Sequence, residues 1–323
     1  MDSILVAYLG LDVAKAKIDC ALLFNGKVKS KVISNNPEGF DTLMGWLAKQ
    51  GVSRIHACCE ATGTYSEAIA VFLHERGHVV SVVNPAKIAA YAQAQLSRAK
   101  TDALDARIIA RFCEREHPAP WAPPPAEERV LLALLRDLQD LQAMQQAESN
   151  RLGTAHACVR ERIERHLEYL AGEIEQIKKT IEEHIDHHDD LRGRRDLLDS
   201  VPGLGEHTIP WLIAYLGDGQ RFEGSKCAVA FFGLCPEPRE SGSSVRGKAR
   251  IAKTGHADLR HVLYMPAVVA YSRCAAFAPF VQRLKAAGKP PKVIIVALMR
   301  KLVAIAQAIL KSRRPFNPTL HQA

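Results

Sequence analysis

The chain has 323 residues, 47% of them hydrophobic and only 6% aromatic, so we expect two or three domains with largely aliphatic cores. The net charge of +8 is unevenly spread, because residues 191–323 contain 21 Lys and Arg against 8 Asp and Glu, whereas residues 1–190 contain 22 against 27. A basic C-terminal part is typical of proteins that bind a polyanion such as nucleic acid, and a merely solvated basic surface is the alternative.

Several classes of protein are not expected from this sequence. The eight cysteines show no CxxC spacing, which argues against a structural zinc site and against a disulfide framework. The cluster of His184, His187 and His188 is expected to lie on a solvated helix end rather than to bind metal. We find no secretory signal and no apolar run of about 18 residues, which predicts a cytoplasmic protein without a transmembrane helix.

The first 120 residues alternate between predicted strands and helices. A buried strand at 4–12 precedes a hairpin whose strands, 17–24 and 27–34, flank an Asn-Gly turn. The remaining patterns predict strands at 54–59 and 79–83 and helices at 37–50, 64–76, 85–95 and 101–114. This order predicts an α/β domain with a mixed sheet covered by helices.

The rest of the chain is predicted to be helical. A proline-rich segment at 117–125 (HPAPWAPPP) is predicted to be a stiff linker. Beyond it, apolar residues between 131 and 185 recur at spacings of three and four, which predicts a coiled-coil-like stripe. The periodicity alone does not choose among an antiparallel hairpin, a dimer seam and a bundle within one chain.

From residue 191 onward, helices are predicted at about 225–233, 256–274 and 290–311. The glycine-containing turn at 201–209 (VPGLGEHTI) resembles a helix-hairpin-helix phosphate-binding turn, with a plain interhelical turn as the alternative. We therefore predict three parts: a catalytic domain at 1–120, a linker with coiled-coil helices at 121–190, and a helical domain at 191–323.

Four carboxylates form the candidate catalytic set. Asp12 and Glu60 end predicted strands, where α/β sheets usually carry ligands, and Asp102 and Asp105 lie one turn apart on a predicted helix. Each acid alone is more often a helix cap or a surface charge. A ribonuclease-H-like sheet would bring all four together, where they would hold two Mg²⁺ ions for an in-line displacement at phosphate.

A rival interpretation treats residues 10–15 (GLDVAK) as the phosphate loop of the sugar-kinase and actin superfamily. That loop usually has glycine after the aspartate, whereas here Val13 and Ala14 follow Asp12. The rival also gives no role to the basic C-terminal part.

Ser241 lies in a basic, glycine-rich stretch at 239–248 (RESGSSVRGK), predicted to be a flexible loop. A serine beside glycines is usually a loop residue only, and Ser243 and Ser244 stand nearby. Cations in and after this stretch could neutralise a reacting phosphate or simply position nucleic acid; they are Arg246, Lys248, Arg250 and Lys253.

These motifs resemble those of a known family. Residues 10–15 (GLDVAK), 60–65 (EATGTY) and 100–106 (KTDALDA) look like the DEDD motifs of the insertion-sequence "one-ten" family of transposases. Its C-terminal transposase domain is similar to motifs at 201–205 (VPGLG), 231–236 (FFGLCP), 240–244 (ESGSS) and 250–256 (RIAKTGH). The similarity runs from about residue 8 to about 312, and the bridge-RNA-guided recombinases look the most similar.

The resemblance implies a resolvase-like first domain, a coiled coil and a helical transposase domain. The four acids would carry Mg²⁺, and Ser241 would attack DNA to form a covalent phosphoserine link. A structured noncoding bridge RNA would pair with donor and target DNA. Dimers assembling into a tetramer on the nucleoid would share a composite site, with the acids from one subunit and the serine from another.

Three functional hypotheses follow. The first is a metal-dependent, RNA-guided recombinase that uses a serine nucleophile. The second is a resolvase-type metal nuclease in which water attacks, and the third is a non-enzymatic nucleic-acid-binding scaffold. The four acids argue against the third, and the serine stretch with the basic C-terminal part favours the first over the second.

Overall fold

The computed structural model describes residues 7–61, 63–95, 102–241, 245–252 and 255–321. Within these ranges, the side chains of 102–103, 238–241, 245–250 and 320–321 are not described. The chain divides into two compact units, Met1–Pro123 and Pro124–Ala323. The further division of the second unit at residue 190 stays a prediction.

The first unit is built on a five-stranded mixed sheet. Its strands are β1 (Ala7–Val13), β2 (Lys17–Phe24), β3 (Lys27–Ser34), β4 (Ile55–Glu60) and β5 (Val79–Val83). They lie in the order β3-β2-β1-β4-β5. The pairs β1–β2 and β2–β3 are antiparallel, whereas the pairs β1–β4 and β4–β5 are parallel. The predicted mixed sheet is confirmed.

The Asn-Gly turn fixes the β2–β3 hairpin as predicted. Asn25 and Gly26 both have positive φ, 50° and 69°, as a two-residue turn between twisted strands requires. Lys17 pairs with Ser34 and Phe24 with Lys27, so the hairpin is in register along its whole length.

Helices cover both faces of this sheet. They are α1 (Pro37–Lys49), α2 (Glu67–Glu75), α3 (Pro85–Ala94) and α4 (Asp102–Glu116). The first two pack with Leu9, Leu11 and Ile55 on one face, whereas α4 packs with Tyr8 and Cys58 on the other. Because side chains alternate along a strand, each strand of the sheet contributes to both cores.

The proline-rich segment at 117–125, predicted to be a stiff linker, packs against the first unit in its first half. The backbone N–H of Trp121 donates to the carbonyl of Val80 on β5 at 2.7 Å. Ser81 Oγ lies 2.9 Å from the carbonyl oxygens of both Pro118 and Ala119. The first half of this segment therefore lies against the sheet edge, because strand β5 offers it unpaired backbone groups.

The second unit begins with two long antiparallel helices, α5 (Ala126–Thr154) and α6 (Ala157–His187). The apolar stripe is buried within the chain: Ile181 and Ile185 of α6 share a core with Leu131 and Leu135 of α5. The two helices thus form an antiparallel hairpin, one of the three arrangements that the periodicity left open.

The remaining elements of this unit are mostly helical. They are α7 (Asp189–Asp199), α8 (Ile209–Leu216), α9 (Ser225–Phe231), β6 (Pro236–Ser241), β7 (Val245–Ile251), α10 (Ala257–Arg273), α11 (Ala278–Ala286) and α12 (Pro291–Ser312), with short 3-10 turns at Ala275–Phe277 and Pro318–His321. The stretch that contains Ser241 was predicted to be a flexible loop, and this is wrong. It forms the two-stranded hairpin β6–β7, whose paired backbones give it a defined direction.

Helix α12 is the central helix of the second unit. It is long and apolar enough to cross a membrane, although Arg300 and Lys301 interrupt its apolar run. Its residues Ile294, Leu298 and Leu302 are fully buried among the surrounding helices. Burial in a protein core therefore accounts for its apolar character.

Candidate active site

Asp12 and Glu60 lie near the carboxyl-terminal ends of two neighbouring strands. Leu11 on β1 pairs with Cys59 on the parallel strand β4, and the next residue along each strand is Asp12 and Glu60 respectively. Neighbouring strands lie about 4.8 Å apart, and both acids are half-buried. Parallel pairing therefore brings these two predicted site residues side by side.

Both acids lie on the face of the sheet that α4 covers. Gly10 and Cys58 contact this helix or its core, and the two acids follow them by two residues, which is one repeat of a strand. A β-carbon at Gly10 would lie only 2.1 Å from the carbonyl oxygen of Ala106 and 2.4 Å from the backbone nitrogen of Ala110. The helix thus rests directly on the backbone of β1.

The direction of α4 brings its first turn toward the strand ends that carry Asp12 and Glu60. Near its C-terminal end, Cys113 Sγ donates to the carbonyl oxygen of His56, at the start of β4, at 3.6 Å. Ala106 lies against Gly10, farther along the sheet. Because the helix runs antiparallel to β1 and β4, its N-terminal turn, with Asp102 and Asp105, lies toward the strand ends that carry the other two acids.

We expect that replacing Gly10 with alanine will displace α4 from the sheet. Overpacking of this kind costs roughly 1–3 kcal/mol, so the free energy of unfolding in urea should fall and DNA cleavage should be lost. Gly45 on α1 has open space where its β-carbon would go, so Gly45→Ala is the matched control and should be neutral or stabilising. Equal stability and activity of Gly10→Ala and the native chain would contradict this close packing.

The chemistry of this edge suits a hard cation. A hydrogen bond with Cys113 and burial raise the pKa of Cys58 far above its usual range, and burial raises the pKa of Cys59 to about 12. The carboxylate oxygens of Asp12 and Glu60 are the ligands that magnesium prefers. Among the side chains that the structure describes, no three acids, histidines or cysteines are close enough to chelate a metal. The side chain of Asp102 is outside that set.

A fifth carboxylate, which the sequence analysis missed, adjoins the set. Asp19 on β2 pairs with Asp12 across the antiparallel ladder, so the two side chains share a face. Asp19 is buried and forms an ion pair with Lys17 at 3.0 Å. The signal in the sequence is an acid between Ile18 and Cys20, within an otherwise apolar strand.

Ser241 lies at the tip of the β6–β7 hairpin. It pairs with Val245 at the end of the ladder, whereas Pro236 pairs with Ile251 at the base. Five residues of strand separate the base from Ser241, which is about 17 Å. Arg246 and Arg250 pair with Glu240 and Glu237 on β6; Lys248 also lies on β7, and Lys253, Ser243 and Ser244 lie outside the described residues.

A clamp of Gly233, Gly255 and Arg260 holds the base of this hairpin. Gly233, with a φ of 66°, packs so closely on Gly255 that a β-carbon on Gly255 would lie 2.2 Å from the backbone nitrogen of Gly233. Nη1 of Arg260 donates to the carbonyl oxygens of Gly255 at 2.9 Å and His256 at 3.1 Å, and lies 3.4 Å from that of Phe232. One guanidinium thus ties the segments before and after the hairpin together, a role that the sequence did not reveal.

A histidine lies beside this clamp. The ring of His256 packs 4.5 Å from that of Phe231 and 5.0 Å from that of Tyr215. Burial lowers the pKa of His256, so its ring is neutral near pH 7. It sits at the base of the hairpin and Ser241 at the tip, so it does not serve that serine as a base within the same hairpin.

Comparison with known proteins decides the family. A model of DEDD transposases of the IS110 type matches residues 9–155, and one of the transposase IS116/IS110/IS902 family matches residues 195–282. A pilin gene-inverting protein from Moraxella bovis is 34% identical over 318 residues, which are 98% of this chain and 99% of that protein. The chain belongs to the IS110 family of transposases.

Further relatives of this transposase agree. A pilin gene-inverting protein from Moraxella lacunata is also 34% identical over 98% of the chain and 99% of its own length. The transposase for insertion sequence element IS1328 from Yersinia enterocolitica is 33% identical over 114 residues, 35% of this chain and 32% of that protein. The first matched region of this transposase contains the four acids and the second contains Ser241, so each unit carries one part of the predicted chemistry.

Proposed function

We propose that this transposase is an RNA-guided DNA recombinase that cleaves and rejoins DNA by metal-assisted exchange of phosphodiesters onto Ser241. The observation that carries the proposal is the meeting of Asp12 and Glu60 beneath the first turn of α4, which holds Asp102 and Asp105. We further propose that the first unit is a ribonuclease-H-like, resolvase-like domain, which its mixed sheet and edge of acids support.

Asp12, Glu60, Asp102 and Asp105 are proposed to hold Mg²⁺. When bound, two such ions would neutralise charge on the scissile phosphate during an in-line displacement. The acids would fix the position of the metal charge, because the three elements that carry them, β1, β4 and α4, pack closely on one another.

Ser241 is proposed to be the nucleophile. Its Oγ would form a bond to phosphorus while a deoxyribose oxygen leaves, so the energy of the phosphodiester bond is retained in a phosphoserine link. Reversal by a strand hydroxyl would reseal the DNA without ATP. A position at the end of the β6–β7 ladder supports this role, because the tip of a hairpin can enter a site formed elsewhere.

Rejoining is favoured over simple hydrolysis by the relatives. Two of them, similar along nearly their whole length, are named as proteins that invert a pilin gene. Inversion of a DNA segment requires that broken strands be resealed, which a nuclease using water does not do. The resolvase-type nuclease therefore remains only as an outcome of the tests below.

We propose that a bridge RNA selects the DNA sequences on which the transposase acts. The basic C-terminal part supplies charge for phosphate contacts, but the sequence contains no zinc-finger or RNA-recognition signature that would read bases. Base pairing between a guide RNA and both DNA partners would supply this specificity. Because the serine and the acids lie in different units of the chain, we also propose dimers assembling into a tetramer that shares composite sites on the nucleoid.

We expect the purified transposase to retain a specific RNA encoded next to its own gene. Removal of this RNA with ribonuclease should reduce site-specific recombination at least about a hundredfold, because phosphate contacts alone carry no sequence information. Adding back the transcribed flanking RNA should restore activity, and a scrambled RNA of equal length is the control. Efficient, site-specific recombination by RNA-free protein would contradict the guided mechanism while leaving the serine chemistry intact.

A further inference from the structure

The positive charge of the second unit is concentrated in its last 65 residues. Residues 259–323 contain 11 Lys and Arg and no Asp or Glu, whereas residues 191–258 contain 10 and 8. The hairpin with Ser241 belongs to the nearly balanced part. The large basic excess therefore lies on elements other than the one that carries the proposed nucleophile.

Five of these cations lie on or beside α11 within twenty residues of chain, and we refer to them together as the α11 basic surface. They come from the end of α10, from α11, from the turn after it and from the start of α12, and all five are exposed: Arg273, Arg283, Lys285, Lys289 and Lys292. Lys285 lies on the side of α11 that faces the end of α10, and Arg283 lies on the side that carries Phe280. In the part of the chain that the structure describes, no ion pair joins any of the five to an acid. Like charges gathered without acids repel one another, so this surface is suited to a polyanion.

Aromatic rings hold several of these cations in place. Nζ of Lys285 lies 4.6 Å from the ring centroid of Tyr271. Cζ of Arg283 and Nζ of Lys301 lie 5.4 and 4.6 Å from that of Phe280. Burial and the charge of Arg283 both lower the pKa of Lys301, which shows that cations crowd around this ring. Contact with a ring limits the rotamers of a long side chain, so less entropy is lost when it meets a ligand.

A groove of about 330 Å³ runs through this surface, between the end of α10 and α11. Tyr271, Arg273, Gln282 and Lys285 are among its lining residues, and no acid lines it. Its open shape and its donors suit one phosphate and sugar of a polymer that continues past both ends. An enclosed small-molecule pocket would instead be deep and mostly apolar.

We infer that the α11 basic surface is a second nucleic-acid site, which binds the phosphate backbone without reading sequence. This surface is separate from the β6–β7 hairpin that carries Ser241. In this inference it holds the nucleic acid while the hairpin reaches the scissile bond. Lys285 and Arg273, which line the groove, contact one phosphate, and the other cations of this surface contact phosphates farther along the polymer. The inference rests on the proposed function only in that the polyanion is nucleic acid.

Binding measured without chemistry tests this site. In a Ser241→Ala background with EDTA present, fluorescence anisotropy gives the dissociation constant for a random DNA duplex, and separately for a random RNA duplex, at several salt concentrations. The variant replaces Arg273, Arg283, Lys285 and Lys289 with glutamine. The slope of log affinity against log salt should weaken by about 0.9 per lost DNA phosphate contact, or about 3.6 if all four residues bind phosphates.

A charge-matched control distinguishes loss of a local binding site from a general effect of lower net charge. Its four glutamine substitutions are on α6, where acids accompany the cations, at Arg162, Arg165, Lys178 and Lys179. A loss of slope in the α11 variant alone supports the site, and the duplex that shows it identifies DNA, RNA or both as the partner. An unchanged slope with both duplexes, or an equal loss in the control, would overturn the inference. Because no cleavage occurs in this assay, the result does not depend on whether Ser241 is the nucleophile.

Discussion

Replacing Ser241 with alanine should abolish strand transfer and eliminate any covalent link between protein and DNA. Loss of a nucleophile that forms the covalent intermediate typically reduces the rate by about 10⁶-fold, so residual activity should fall below detection. Labelled DNA migrating with protein on a denaturing gel measures the link, and mass mapping of the modified peptide locates it. Divalent metal binding and DNA affinity should stay unchanged, since neither depends on the hydroxyl.

Two serines that follow Ser241 closely in the sequence provide matched controls for this result. Ser243→Ala and Ser244→Ala should keep the adduct, because the proposed attack uses one hydroxyl only. An adduct that maps to Ser243 or Ser244 would overturn the assignment of Ser241. Cleavage by Ser241→Ala at the native rate, with no adduct in either protein, would instead establish the nuclease in which water attacks.

Replacing Asp12 with asparagine or Glu60 with glutamine should reduce cleavage by roughly a hundredfold to a thousandfold. This is the scale of losing one preorganised electrostatic group at a reacting centre. Excess EDTA should stop the native protein in the same way, and added Mg²⁺ should restore it. Asp102→Asn and Asp105→Asn should behave alike, because the proposed site needs ligands from both the strands and the helix.

Stability measurements distinguish a catalytic loss from misfolding. Asp12 and Glu60 lie on adjacent strands beside Asp19, so removing one charge reduces repulsion and should maintain or raise the unfolding temperature in EDTA. Asp41→Asn is the control, since this acid on α1 is mostly exposed and pairs loosely with Arg76 at 3.7 Å. Full activity of Asp12→Asn, or native activity in excess EDTA, would contradict the proposed metal site.

The sheet of the first unit was predictable because its signals are local. An Asn-Gly pair specifies its turn type wherever it occurs, so the limits of β2 and β3 were predicted to the residue. The parallel neighbours β1 and β4 were predicted as separate strands, but their pairing depends on a crossover of more than forty residues. Sequence therefore predicted that Asp12 and Glu60 end strands, whereas only the fold shows that they are adjacent.

The β6–β7 hairpin escaped prediction for a physical reason. Both faces of an exposed two-stranded hairpin meet solvent, so its residues lack the alternation of apolar and polar side chains that identifies a half-buried strand. Pro236, Pro238 and the glycines around Ser241 read as a loop instead. The clamp by Arg260 was equally hidden, because it joins carbonyl groups that any residue could supply.

Because Gly233, Gly255 and Arg260 fix the base of the hairpin, the lengths of β6 and β7 determine how far its tip extends. With the base fixed, two extra residues in both β6 and β7 would advance the tip by about 7 Å and leave each existing side chain on its own face. One extra residue per strand would advance it by about 3 Å and turn Ser241 to the opposite face. Insertions of even length therefore offer a way to change the reach of this transposase without redesigning either unit.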